Sequence, residues 1–278
     1  MSGAGAPVIY VFNLKGGVAK TTTAVNLAAE FGEMGKRTLM VDLDPQAAAT
    51  WMLAPSPPDI QHSVYAALKG GKPLVDIIQR TRFQNVDVVP ASVDLYGLDL
   101  DIDTDQDREL LLSKALAPAR NIYDLILIDS HNKYGLTEIN ALCASDLLLV
   151  PVSCSPLPFY GLDQLNYILQ LASQKYGHST RVIGYVLTLY HRKIVALHSE
   201  CKEVERKLRD KYGPLVFGTV IEYDENIERA TSLQEPISYF QQHTRGAREF
   251  NQLAVEVLDR LHDGYGTKRI EGGTNARS

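Results

Sequence analysis

The chain has 278 residues, 45% hydrophobic and 22% charged, and its 28 basic and 33 acidic side chains leave a net charge of −5. That describes a globular chain able to bury most of its apolar surface, and it excludes global disorder and a wholly basic nucleic-acid coat. Cys143, Cys154 and Cys201 are odd in number and lack Cys-x-x-Cys spacing, which excludes a disulfide framework and a zinc knuckle and points to reduced thiols. From the N-terminus, Met1–Pro7 has no basic region, and the apolar run after it is too short for a signal core or a membrane span. That run, Val8–Leu14, reads as a buried strand, followed by a Gly-bearing loop and a helix over Lys20–Met34 that Gly35 stops. Thr38–Leu43 is a second apolar strand and Ala54–Asp59 a proline-rich loop. Val64–Leu68 reads as a short helix, Val86–Pro90 as a strand and Gln106–Ala117 as a helix. Then come strand Tyr123–Asp129, helix Leu136–Ala144, strand Leu147–Val152, helix Leu162–Gln174 and strand Arg181–Leu189. Helix Ala196–Tyr212, strand Leu215–Ile221, helix Asn226–Leu233 and helix Thr244–Leu261 complete the series. Continuous apolar strands alternating with helices predict an α/β fold with a mostly parallel sheet covered on both faces. No repeat or composition break interrupts the series, so residues 1–263 read as one domain. Gly264–Ser278, with Ile270 its one large aliphatic, reads as a disordered tail.

The chemistry concentrates at Lys15-Gly16-Gly17-Val18-Ala19-Lys20-Thr21-Thr22, between a strand and a helix. Glycines let successive backbone N–H groups turn onto phosphate oxygens, and the helix N-terminus adds its positive dipole end. Lys20 is spaced to reach the β- and γ-phosphates, and Thr21 brings a hydroxyl suited to Mg²⁺. A Gly-Gly turn before a Thr-capped helix accounts for the glycines but not for Lys-Thr at the helix start. Ala19 stands where glycine is usual, which a methyl tolerates only if φ stays negative. Asp42 and Asp44 leave the second strand on the same side, and open parallel sheets bind ligands outside the carboxyl ends of their strands. Leu125-Ile126-Leu127-Ile128-Asp129 has the form of a Walker B strand.

The stretches KGGVAKTTTAVNLAAEF, GKRTLMVDLDPQAAAT and YDLILIDS resemble the deviant-Walker ATPases of the ParA/MinD class. DLDPQ and Leu149-Val150-Pro151-Val152 are most similar to the ParA branch that partitions chromosomes and plasmids. The similarity spans about residues 8–261. It implies a doubly wound P-loop NTPase fold with a deviant Walker A loop, ATP and Mg²⁺ as cofactors, and a homodimer formed on ATP binding. Within that dimer it implies that Lys15 reaches the partner's phosphates and that Asp44 places the attacking water. Gly16, Gly17, Val18, Ala19, Lys20, Thr21 and Thr22 would cradle the phosphates, with Thr21, Asp42 and Asp129 around Mg²⁺ and the adenine beside Ile221, Glu222 and Tyr223. The resemblance further implies slow hydrolysis stimulated by a ParB-like or adaptor partner, non-specific DNA as the matrix, no membrane, and a cytoplasmic, nucleoid-associated protein.

The chain departs from the family at two places. Ser130-His131-Asn132-Lys133 replaces a small residue and Pro-Pro, and there His131 reads as a polar loop residue rather than a catalytic one. Asn226 stands where a DNA-binding arginine is common. Lys193 falls near another such arginine, and Arg245-Gly246-Ala247 matches the family. The candidate DNA residues are therefore Arg192, Lys193, Lys202, Arg206 and Arg245. Seven basic against four acidic residues give His191–Tyr212 a charge of +3, which a solvated helix with Glu203–Lys207 and Glu205–Arg209 pairs explains equally well. A MinD-type membrane ATPase would need an apolar stripe in the tail, and an iron–sulfur relative would need clustered cysteines. A tyrosine autokinase would need more tail tyrosines than Tyr265. Seven residues before the first strand leave no room for a helix-turn-helix.

Overall fold

The apolar runs pair into one sheet. The computed structural model describes residues 5–56, 59–102, 107–133, 135–154, 158–178 and 180–264. Its strands are β1 (Val8–Val11), β2 (Thr38–Asp42), β3 (Gln79–Arg80), β4 (Val86–Val89), β5 (Leu125–Asp129), β6 (Leu147–Ser153), β7 (Arg181–Tyr190) and β8 (Val216–Glu222). They lie in the order β3-β4-β2-β5-β1-β6-β7-β8. All pairs are parallel except β3 with β4. The helices are α1 (Lys20–Glu33), α2 (Ala48–Leu53), α3 (Val64–Leu68), α4 (Leu98–Asp101), α5 (Leu111–Leu116) and α6 (Leu136–Ala144). After them come α7 (Pro158–Tyr176), α8 (Val195–Tyr212), α9 (Glu225–Ser232), α10 (Ile237–Phe240) and α11 (Arg245–His262).

Alternation along each strand divides the core. Val8, Tyr10 and Phe12 point to the layer that holds α3, α5, α6, α7 and α8. Ile9 and Val11 point to the opposite layer, packed by α1, α2, α9, α10 and α11. The fold is the expected doubly wound α/β sheet with helices on both faces. Gly35 ends α1 as predicted. It takes φ +78°, and Lys36 N–H reaches back to the Phe31 carbonyl at 2.9 Å, closing the last turn.

Some boundaries differ. The helix expected over Gln106–Ala117 is α5 preceded by a single 3₁₀ turn, Arg108–Leu110, and residues 103–106 lie outside the described chain. The short α2 and the two-residue β3 carry too few periodic positions to announce themselves. The tail expected over 264–278 lies, beyond Gly264, outside the described residues.

α11 packs along the edge strand β8. Glu256 accepts from Gly218 N–H at 2.9 Å and Thr219 N–H at 2.7 Å, and Glu249 accepts from Glu222 N–H at 2.8 Å. Arg260 donates to the Leu215 and Val216 carbonyls at 3.0 and 3.3 Å and lies over the Phe217 ring. Three N–H groups of β8, of Gly218, Thr219 and Glu222, and the Val216 carbonyl are thereby taken by side chains.

Candidate nucleotide site

β1, β5 and β2 end level with one another. Val11 is in register with Asp129, and Asp129 with Asp42. The loop after β1 therefore opens beside two carboxylates at the carboxyl edge of the sheet, where open α/β sheets take ligands.

The loop is braced from three directions. Asn13 donates from its amide to the Pro151 carbonyl on β6 at 2.8 Å and accepts from Lys15 N–H at 3.0 Å. Thr188 on β7 donates to the Val18 carbonyl at 3.1 Å, and Thr23 to the Ala19 carbonyl at 2.7 Å. Gly17 takes φ +68°, as a phosphate loop requires. The expectation for Ala19 is overturned: its φ is +60°, in the left-handed region. The turn that aims the N–H groups of α1 needs this conformation, and the methyl bears it at a cost of about 1 kcal/mol. Ala19→Gly is accordingly expected to raise stability by about that much and the melting temperature by about 2–4 °C, read in thermal unfolding without ligand. An unchanged or lower melting temperature would contradict the strain.

Lys20 is 9% exposed and donates from Nζ to the Lys15 carbonyl at 3.3 Å. Burial pulls its pKa down, while Asp129, Asp44 and Glu138 push it back up. Asp129 is fully buried, and neither of its carboxylate oxygens makes a well-formed hydrogen bond. Burial and then the Asp42 charge raise its pKa well above the ordinary range, and the nearby Thr21 hydroxyl tempers the shift. A buried carboxylate without partners, beside a lysine and a threonine hydroxyl, fits a site meant for a divalent cation and phosphate. No group of three or more metal-ligating side chains occurs among the described residues.

Asp42 is placed in the same row, but its oxygens are committed. One accepts from Asp44 N–H at 2.9 Å, and the other from the Thr50 N–H and hydroxyl at 2.8 and 2.7 Å. Burial pushes its pKa up to about 6. Asp42 thus holds the β2 exit and α2 in place. Asp44 lies half-buried one step outward, its Oδ1 accepting from Gln46 N–H at 2.8 Å in a tight turn.

A cavity of about 340 Å³ opens from Gly17, Ala19 and Thr22 to Ile221, Glu222 and Tyr223. The structure thus joins the two segments that sequence reasoning named as phosphate and base sites. Leu189, at φ +51°, lines it where β7 and β8 lose register, and His191 stacks on Tyr223. Glu249 sits behind this wall. Burial raises its pKa to about 7 while its Oε2 accepts from Glu222 N–H. A carboxyl whose folded pKa exceeds its unfolded value favours the fold when protonated, so stability should fall as pH rises from about 4.5 to about 7. Glu249→Gln should remove this fall and add roughly 1–3 kcal/mol at pH 8 with little change near pH 4. Thermal melts at the two pH values would read the difference, and equal gains at both would refute it.

The candidate DNA residues do not assemble into a free cationic face. Arg192 pairs with Glu222, and Arg245 bridges Glu222 and Glu249 and donates to the Tyr223 carbonyl. Both therefore brace the base side of the cavity. Arg206 pairs with Asp210, Lys207 with Glu203, Arg209 with Glu205 and Lys211 with Asp163, the side-chain pairing expected of a solvated helix. Lys193 and Lys202 are exposed. Sequence reasoning also missed Asn13, Thr50, Thr188, Glu138 and Glu249. Only Asn13, adjoining the loop, carried a local signal.

Comparison with known proteins gives consistent likenesses. A family model described as an AAA domain matches residues 6–182. The sporulation initiation inhibitor protein Soj of Bacillus subtilis is 36% identical over 90% of this chain and 97% of its own. The chromosome partitioning protein ParA of Myxococcus xanthus is 32% identical over 91% and 88%. Among solved structures, cobyrinic acid a,c-diamide synthase of Mycobacterium smegmatis with bound ADP and magnesium superposes with a TM-score of 0.79 at 27% identity. That match covers 94% of this chain and 97% of the other.

Proposed function

Because this chain belongs to the ParA family of P-loop ATPases, in its chromosome-partition branch, we propose that it is an ATP-driven dimerising switch that segregates DNA or positions a cargo. One observation carries the reading: Lys20, Asp129, Asp42 and Asp44 converge at the loop end of the sheet, beside a cavity that continues to Ile221–Tyr223.

Lys20 offsets the charge of the β- and γ-phosphates. The N–H groups from Gly16 to Thr22 cradle them, and Thr21 and Asp129 hold the magnesium side, Asp129 through water. Magnesium, when bound, neutralises charge developing on the transferred phosphoryl group. Asp42 keeps the β2 exit rigid, so that Asp44 can orient the attacking water. Lys15 reaches the phosphates of a second copy. Ile221, Glu222 and Tyr223 receive the adenine. A structural neighbour with bound ADP and magnesium supports the nucleotide assignment. Turnover is expected to be slow until a ParB-like or adaptor partner engages, in a cytoplasmic protein associated with the nucleoid. No helix among the described residues is long and apolar enough to cross a membrane.

Non-specific DNA is the proposed matrix, with exposed Lys193 and Lys202 as the contacts least committed to the fold. Two copies in a dimer act at high effective concentration, which offsets the net charge of −5 on each chain. Gel shifts with ATP at low salt test this, using an Asp44→Ala dimer that cannot hydrolyse. Retardation of any duplex, falling by ~0.9 in log affinity per phosphate contact for each decade of salt, is expected. No retardation would remove DNA as the matrix. Fast turnover without a partner, consuming a small-molecule co-substrate, would favour a metabolic enzyme instead.

A further inference from the structure

The far end of α1 faces a second cleft. Glu30 stands ten residues, about 15 Å, along the helix from Lys20. Beside it a cavity of about 470 Å³ opens between α1, α10 and α11, with Glu30, Glu33, Ser238, Arg248 and Asn251 in its lining. Two of these groups are buried, Glu30 at 2% and Ser238 at 4% exposure. Ile237 N–H donates to Asn26 Oδ1 at 2.7 Å, which holds α10 against α1 and fixes the walls.

The carboxylates of this cleft lack a cation. Glu30 Oε2 accepts from Asn251 Nδ2 at 2.9 Å. Among the described residues no lysine or arginine forms an ion pair with Glu30 or Glu33. Burial raises the pKa of both, and the Glu33 charge adds to the shift at Glu30. Arg248, in the same lining, donates from Nη1 to the His243 carbonyl at 2.8 Å. The Ser238 hydroxyl is sealed from water and lies close enough to Glu30 to act on it, yet it makes no well-formed hydrogen bond. A buried polar group without a partner costs stability, and like charges three residues apart on a helix repel. One ligand group offsets both costs, if it is cationic and carries several N–H donors.

We propose that this cleft binds a small primary amine, whose ammonium group donates to Glu30 Oε1, the Glu33 carboxylate and the Ser238 hydroxyl. An alkylammonium has three donors and no acceptor, which matches three acceptors around one point. A metal ion is served less well, because no third metal-ligating side chain joins the two carboxylates among the described residues. Arg248 disfavours a second positive charge close to the first. The ligand is therefore a monoamine, or a diamine whose chain carries its far charge out to solvent. The cleft shares no lining residue with the nucleotide cavity, so the proposal stands or falls without it.

Calorimetric titration of the full chain with n-butylamine and with putrescine, at neutral pH and fixed ionic strength, tests the site. Saturable binding in the millimolar range or tighter is expected, at one amine per chain. Tetramethylammonium carries the charge without an N–H donor and should not bind. Glu30→Gln keeps an amide oxygen for Asn251 and should weaken butylamine about 10-fold, the loss of one charge-assisted contact. Ser238→Ala removes a hydroxyl that has no well-formed bond to lose and should weaken it about 3-fold. Asp210→Asn, at the exposed pair with Arg206 on α8, should leave the affinity unchanged. Absence of saturable binding, or equal binding of tetramethylammonium, would overturn the proposal. So would an unchanged affinity in both Glu30→Gln and Ser238→Ala, or a loss in Asp210→Asn as large as in Glu30→Gln, since either would place the amine elsewhere on the chain.

Discussion

Lys20→Ala should abolish ATP binding, weakening it at least 100-fold. Lys20 is the buried cation in a row that also holds Asp129, Asp42 and Asp44. Its charge serves the fold and the ligand together. Without ATP it faces carboxylates that burial would otherwise leave uncompensated, and with ATP it meets the β/γ oxygens in a partly dry cleft, where charge-assisted bonds are strong. Removing it leaves phosphate facing carboxylates alone. Titration with a fluorescent ATP analogue reads the loss, and an affinity near the parent's would mean that the loop is not the phosphate site.

Lys15→Gln and Asp44→Ala should separate ATP binding from dimerisation and hydrolysis. The loop's brace at Lys15 includes its backbone N–H and carbonyl, and glutamine keeps both. ATP should bind to the Lys15→Gln chain with near-parent affinity, yet the chain should remain a monomer and not hydrolyse. Asp44→Ala should bind and dimerise, then persist as a dimer, with hydrolysis reduced at least 100-fold because water is no longer oriented. Light scattering with ATP distinguishes one copy from two. If the two variants behave alike, Lys15 does not act across the dimer.

What the sequence made readable was short-range or periodic. The loop Lys15–Thr22 lies between β1 and α1, and one run of apolar residues ends at Asp129, so adjacency alone brings these groups to one edge. The two aspartates of DLDPQ were found the same way, but their division of labour was not. Thr50, eight residues downstream, donates both its N–H and its hydroxyl to Asp42 and ties it up. Ala19 shows the opposite limit, since a residue type carries a preference for φ and the braces from Thr188 and Thr23 override it. Arg192, Arg245 and Glu138 were illegible because their partners come from other elements. Charge counts along α8 could not reveal that Glu222 draws Arg192 and Arg245 toward the cavity.

The side chains of α11 along β8 bear on how copies of this chain can meet. Strands with open backbone groups invite further strands, and a growing sheet ends in fibres that do not dissolve on command. Here Glu256, Glu249 and Arg260 occupy those groups at one border, and the other border is the two-residue, antiparallel β3. Growth by strand addition is hindered at the first and has little length to use at the second. In the proposed dimer a second copy would meet the loops at the carboxyl edge, where contacts could form and part as the bound phosphate changes while every strand stays paired as it was. Assembly of that kind can be undone within one catalytic cycle, whereas a joined sheet would have to unfold first.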